Sequence, residues 1–309
     1  MVIHEGYDNL DLKEPVVTIG IFDGVHLGHV SLINTLISRA KEAGKDSAVI
    51  TFHPHPRLVL DKNTAGLSFL STMDEKKALL KGVGIDHLII IEFTPLFSKM
   101  RACDFVEEVL LKKIGTRHLI VGHDHHFGFQ GEGNFKTIKN CAVSMGFMVE
   151  QVTGLKSADV AISSSIIRNA LLNGNTDEAN NMLGYTYSLR GEVVEGNKIG
   201  REIGFPTANI KPGDQYKLIP GDGVYAVEVQ IDNVKLPGML SIGKNPTVNN
   251  TGALRSIEVN IFNFEQDIYR KEIEVAFRYR MRDEIKFSNT EELIRQMGID
   301  KTIATHLLT

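Results

Sequence analysis

Two histidines three residues apart, His26 and His29, end the run Gly20-Ile-Phe-Asp-Gly-Val-His-Leu-Gly-His29. Imidazoles so placed can converge on a phosphate and donate hydrogen bonds to it as it gains charge. Gly20, Gly24 and Gly28 permit backbone conformations and close approaches that a side chain forbids. The run lies between a β-like stretch and a helical one, and a helix start offers unpaired amides and a positive dipole end to an anion. Taken alone, the same residues also fit a tight turn with two surface histidines. A second cluster, Ile162-Ser-Ser-Ser-Ile-Ile-Arg168, places a helix-capping serine three or four residues from a guanidinium on the same face. A plain helix cap fits it as well. A third, Gly200-Arg-Glu-Ile-Gly-Phe-Pro-Thr-Ala-Asn-Ile210, reads in isolation as a turn into a strand. In Ser256 to Phe262, Ile257, Val259 and Ile261 alternate with Ser256, Glu258 and Asn260, so Glu258 lies on the face opposite the aliphatic trio. There it could take up a proton or simply be solvated.

Other chemistries are disfavoured by spacing. Gly243-Lys244 is followed by asparagine and Gly44-Lys45 by aspartate, so no Walker A pattern occurs. His53, His55, His123, His125 and His126 with Asp124 form a set of metal-ligating types, but HExxH and paired CxxC spacings are missing, and adjacent histidines on a strand point to opposite faces.

The run GIFDGVHLGH resembles the HxGH signature of the nucleotidyltransferase superfamily, in the form typical of bacterial bifunctional riboflavin kinase/FAD synthetases. ISSSIIR is similar to that family's ISSTxIR motif, and GFPTAN to the PTAN motif of riboflavin kinases. Thr51-Phe-His-Pro-His-Pro56 resembles its TFxPHP segment. Val121 to Gly128 resembles its VGxDFxFG stretch, with Asp124 and Phe127 matching. His125 replaces an aromatic residue there, and His126 and Gly131 stand where many relatives have arginine.

The resemblance implies two sequential reactions, riboflavin and ATP giving FMN and ADP, then FMN and a second ATP giving FAD and pyrophosphate. It implies ATP with Mg²⁺ at the first loop, bordered by Gly20, Phe22, Asp23, Gly24 and Gly28, with His26, His29, Ser164, Ser165 and Arg168 neutralising charge. It further implies that Asp124 and Phe127 line the nucleotide or flavin, and that Gly204, Pro206, Thr207 and Asn209 hold the second ATP, with Thr207 and Asn209 on its Mg²⁺. Glu258 is then the base that accepts the proton of the riboflavin 5′-hydroxyl. Gly223 to Ala226, Asn245 to Thr247 and Arg282 to Phe287 are expected to border these ligands. Two alternatives remain at this point, a kinase whose adenylyltransferase half has degenerated, or a flavin-binding module without turnover.

The elements that must position these residues follow from pattern. In the first half, strands are expected at Val16 to Phe22, Ala48 to Phe52, Leu88 to Phe93, His118 to Gly122 and Phe147 to Val152. Between them, Leu32, Ile33, Leu36, Ile37 and Ala40 make one helical stripe, with further helices near Asp74 to Lys81 and Asp104 to Ile114 capped by Asp74 and Asp104. Alternation of this kind gives an α/β domain, a parallel sheet covered by helices, and the resemblance implies that this sheet is the Rossmann-like one of nucleotidyltransferases. After about Tyr185, Val224 to Ile231, Leu240 to Gly243, Ser256 to Phe262 and Ile273 to Tyr279 follow one another through turns, which predicts an antiparallel β-barrel, with a sandwich as the alternative, and a last helix capped by Thr290. The polar stretch Asn173 to Gly184 is where the join is expected, giving domains 1–184 and 185–309. A chain of 309 residues is long enough for two cores.

At 42% hydrophobic and 23% charged residues the composition is that of a globular protein. No apolar run approaches the ~20 residues of a membrane span. The opening MVIHEGYDNL has neither a basic start nor an apolar h-region, so no secretory leader is expected. Two cysteines, Cys103 and Cys141, make no disulfide framework, which points to a reducing cytoplasm. A net charge of −4 gives no general attraction to nucleic acid or anionic lipid. The partners that the resemblance implies are the small molecules riboflavin, FMN and ATP, with weak homo-oligomerisation left open.

Overall fold

Short apolar runs alternating with amphipathic stretches require strands buried on both faces, because each crossover lays a helix over the sheet. The computed structural model describes every residue except 124–125, 154–155, 158–159, 197–198 and 245–254. Six strands, β1 (Val2–Glu5), β2 (Val16–Ile19), β3 (Ser47–His53), β4 (His87–Glu92), β5 (His118–Gly122) and β6 (Met148–Val152), form one parallel sheet in the order β1-β4-β3-β2-β5-β6. Val17, Ile19 and Ile50 pack on one face against Phe105, Val109 and Leu110, while Val16, Val49 and Leu88 pack on the other against Ile33, Leu36 and Leu80. The strand order reverses at β2, with β3 on one side and β5 on the other. The crevice beyond the carboxyl ends of strands at such a reversal is where open α/β sheets bind ligands.

The helices of this half are α1 (Leu27–Ala43), α2 (Pro56–Leu60), α3 (Met73–Val83), α4 (Ala102–Asp104, running into a π-helical stretch Phe105–Ile114) and α5 (Phe135–Ser144). Two expected caps are displaced. Thr72, not Asp74, caps α3, because its hydroxyl accepts from Glu75 N while the Glu75 carboxylate accepts from Thr72 N, a reciprocal box that leaves Asp74 inside the first turn. Asp104 is the last residue of α4 and makes no cap bond; the Glu132 carboxylate caps that helix instead, accepting from Ala102 N at 3.2 Å. β2 stops at Ile19, earlier than the apolar run suggests, because Phe22 turns to φ 51°. A disulfide joins Cys103 to Cys141, whose Cα atoms lie 5.8 Å apart. The cysteine count offered no framework, and only the fold that returns α5 to α4 brings this pair together.

A small hairpin, β7 (Lys156–Ser157) with β8 (Val160–Ala161), leads to α6 (Ser164–Leu172) and α7 (Thr176–Leu183). Then β9 (Ser188–Val194), α8 (Ile199–Glu202), β10 (Ala208–Pro212), β11 (Gly223–Ile231), β12 (Val234–Lys244), β13 (Arg255–Ile261) and β14 (Glu272–Arg282) follow, and the strands close an antiparallel barrel in the order β10-β13-β12-β11-β14-β9. β12 begins six residues before the expected Leu240, since Lys235, Pro237 and Gly238 interrupt its apolar pattern although they pair with β11. The last helix, α9 (Thr290–Leu308), is capped by the Asn289 side chain rather than by Thr290. It covers part of the outer barrel wall, where Ala304 packs with Ala226, Met239 and Phe262. The chain divides into two compact units, residues 1–164 and 165–309. The stretch expected to be the join contains α7, whose Asn180 amide donates to Phe277 O in β14.

Candidate functional site

The loop after β2 is built under strain. Besides Gly24, the non-glycine residues Phe22 (φ 51°) and Val25 (φ 38°) take positive φ, and both are almost wholly buried. Such conformations persist only where the surroundings enforce them, and they concentrate at ligand sites. Here the enforcement comes from Asp23, which is 4% exposed: its carboxylate accepts from Leu70 N at 2.9 Å and Ser71 N at 3.1 Å, while Ser71 Oγ accepts from Gly24 N at 3.0 Å. The loop ends on His26, which caps α1 by accepting from His29 N at 3.3 Å.

The two imidazoles stack with centroids 3.6 Å apart. Burial first, then His26, then Lys76 hold His29 well below the usual histidine range, so it is neutral near pH 7. Its Nδ1 is buried and has no hydrogen-bond partner among the described residues. A Cβ on Gly28 would come within 3.1 Å of the His26 ring, so the stacked arrangement depends on the missing side chain. Ser164 Oγ donates to Asp23 O at 3.0 Å, which brings the start of the serine-rich motif to this loop. Four residues on, Arg168 Nη2 donates to Ser165 Oγ at 3.3 Å on α6.

The remaining predicted residues of this half have distinct settings. Gly20 N donates to Ile50 O, extending the sheet into the loop. His55 caps α2 and stacks on Phe69 with ring centroids 4.1 Å apart, whereas His53, His123 and His126 are exposed. Phe127 pairs with Gly133 and packs edge-on against Phe105. Asp124 and His125 lie outside the described residues, as do Asn245 to Thr247.

In the barrel, register does the positioning. Asn209 of β10 pairs with Glu258 of β13, and Glu258 pairs with Ser241 of β12, so the three stand in one row across adjacent strands. Directly paired residues of an antiparallel sheet share a face. Ile257, Val259, Leu240 and Ile242 fill the barrel interior, which leaves this row on the outer wall. Thr207 Oγ1 donates to Glu258 Oε2 at 3.4 Å, and Asn260 Nδ2 holds Pro206 O at 2.7 Å, fixing the approach to β10; Gly204 turns it with φ 82°. Burial pushes the Glu258 carboxyl above the ordinary range; the Thr207 hydroxyl opposes this, and Glu284 adds to it.

Two cavities of about 300 and 280 Å³ meet at Thr207. The first contains Glu258, Ser241 and Glu284 and has an apolar wall that includes Met239, Leu293 and Met297; the second runs from Thr207 along Val193, Phe264 and Tyr269. Sequence reasoning missed Lys76 and singled out Glu284 only as part of a bordering segment. Glu284 accepts from Ser241 Oγ at 3.1 Å and crowds against Gly243, where a Cβ would collide with its carboxylate. Lys76 is 5% exposed and sits beside Leu80 on the inner face of α3. A lysine inside the Met73, Lys76, Leu80 and Val83 stripe was a signal available in the sequence.

Comparison with known proteins places each half. Residues 8–166 match the family described as FAD synthetase and residues 183–308 the family described as riboflavin kinase. The bifunctional riboflavin kinase/FMN adenylyltransferase of Listeria monocytogenes is 38% identical over 286 residues, 93% of this chain and 90% of that protein. The Bacillus subtilis protein of the same name is 36% identical over 93% of this chain and 90% of its own length, and the Escherichia coli K12 protein 34% over 94% and 91%. A crystal structure from Streptococcus pneumoniae, described as a macrolide-efflux protein, is 31% identical and superposes with a TM-score of 0.89 over 99% of both chains. Among the described residues no helix is long and apolar enough to cross a membrane.

Proposed function

The chain belongs to the bifunctional riboflavin kinase/FMN adenylyltransferase family and carries both transferase activities, and on that premise we propose which residues perform each. Adenylyl transfer is assigned to residues 1–184 and the kinase to 185–309. In the kinase, riboflavin occupies the cavity of Glu258 and its apolar wall, and the nucleotide lies beyond Thr207. Glu258 accepts the proton of the 5′-hydroxyl as that oxygen bonds to the γ-phosphorus and ADP departs. The observation that carries this is the placement of Glu258 against Thr207 at the meeting of two cavities, in register with Asn209.

The hydroxyl of Thr207 and the amide oxygen of Asn209 are hard donors suited to Mg²⁺. Bound with ATP, that ion would neutralise phosphate charge. Thr207 and Asn209 orient the nucleotide, with Gly204 and Pro206 setting the turn that presents them.

In the other half, the amides at the α1 start and the loop of Gly20, Phe22, Asp23, Gly24 and Gly28 take the triphosphate of the second ATP. His26, His29, Ser164, Ser165 and Arg168 steady its charge while an FMN phosphate oxygen attacks the α-phosphorus. Phe127 and Asp124 are assigned to the same site by resemblance. Both reactions consume ATP, which supports a cytoplasmic setting.

The test is to supply riboflavin or FMN with Mg-ATP and separate the flavins. His29→Ala should keep FMN formation and lose FAD formation, and Glu258→Ala should lose FMN formation yet make FAD from supplied FMN. Equal loss of both activities from either change refutes the assignment.

A further inference from the structure

An ammonium enclosed by protein loses its water and is stabilised only when an opposite charge or acceptors replace that water. The side chain of Lys76 is enclosed in this way over nearly all of its length. It is 5% exposed, and its amine makes no hydrogen bond or ion pair with any described residue. Its setting is fixed rather than incidental. The Thr72–Glu75 box locks the first turn of α3, and the residues just before it are bolted to the strained loop through Asp23 and Ser71. The ionisable groups facing it are the Asp23 carboxylate and the His29 imidazole, with His26 stacked behind. Burial lowers Lys76 to about 8 against the pull of Asp23. The loop thus gathers a neutral imidazole, a carboxylate already held by backbone amides, and one unpartnered amine.

We propose that Lys76 is a catalytic residue of adenylyl transfer, its ammonium lying against the phosphate chain of ATP at the start of α1. This rests on the assignment of that loop to FMN adenylylation. As an FMN phosphate oxygen bonds to the α-phosphorus, the bond from that phosphorus to the bridging oxygen breaks, and the electron pair leaves with pyrophosphate. Lys76 stays protonated throughout and donates hydrogen bonds to the oxygens where this charge collects. A positive group preset in a water-poor site is worth most at that moment.

The experiment compares full-length wild type, Lys76→Met and Lys76→Arg. For FAD formation, Lys76→Met should lower kcat/KM for ATP by about 100-fold, leave KM for FMN little changed, and weaken product inhibition by pyrophosphate. Lys76→Arg, which keeps the charge, should recover much of the loss. Riboflavin phosphorylation by the same preparations should not change. Because methionine fills the same space without a buried charge, Tm should stay level or rise in Lys76→Met. Undiminished FAD formation in that variant overturns the proposal, and so does a loss accompanied by unaltered pyrophosphate inhibition or by a fall in Tm, since those outcomes mark a packing role. If wild type itself makes no FAD at a site sensitive to His29→Ala, the assignment of the loop fails instead.

Discussion

His26 and His29 could be picked out by spacing, but their state depends on how they are packed. Stacked rings with centroids 3.6 Å apart, one of them buried, cannot both carry a proton without strong repulsion. His29 is held below its unfolded value of about 6.5, so its stabilising contribution is present above that pH and is lost as pH falls below it. Denaturation of wild type and His29→Gln between pH 8 and pH 5 should show a smaller loss of stability on acidification in the variant. The sign reverses at Glu258. In its proposed role as base the raised carboxyl must be ionised to accept a proton, so kinase kcat/KM should fall on the acid side at a higher pH than an ordinary carboxylate would give. Glu284→Gln removes one of the groups raising it and should move that acid limb to lower pH; an unmoved limb would separate Glu284 from the base. Glu258 was readable because a strand's period of two isolates one polar face. Glu284 was not, since its approach to Ser241 and Gly243 joins segments about 40 residues apart.

At the scale of elements, strand and helix identity followed from apolar periodicity, whereas their ends were set by contacts invisible along the chain. Thr72 outcompetes Asp74 because Glu75 can answer it three residues later, and α4 borrows its cap from Glu132. The same dependence gives α9 its hold on the barrel. Arg282 at the end of β14 makes a two-pronged pair with Asp300 of α9, which is 2% exposed and also accepts from Gln296. Asp300→Ala strands the guanidinium and should cost about 3 kcal/mol, read as a lower denaturation midpoint with weakened kinase activity, because Asp300 borders the Glu258 cavity. In the other half, Gly28→Ala pushes a methyl against the His26 ring, so FAD formation should fall while FMN formation continues.

For the molecule as a whole, the proposed assignment makes the two reactions separable. Glu258→Ala chains and His29→Ala chains, each unable to convert riboflavin to FAD alone, should do so when mixed, with FMN crossing through solution. Failure of the mixture, with each half-activity intact, would mean that FMN is not released. The two units also differ in how their sheets end. The barrel joins β9 back to β10, so every strand has two neighbours. The parallel sheet stops at β1, which among the described residues pairs with β4 alone and exposes Val2 and Ile3. A rolled-up sheet gives a stray polypeptide nowhere to zip on, while an open flank of this kind recruits its own copies once heat loosens its surroundings. Warmed or aged stocks should therefore drift toward being FMN makers, their FAD output fading first as clumped N-terminal halves accumulate.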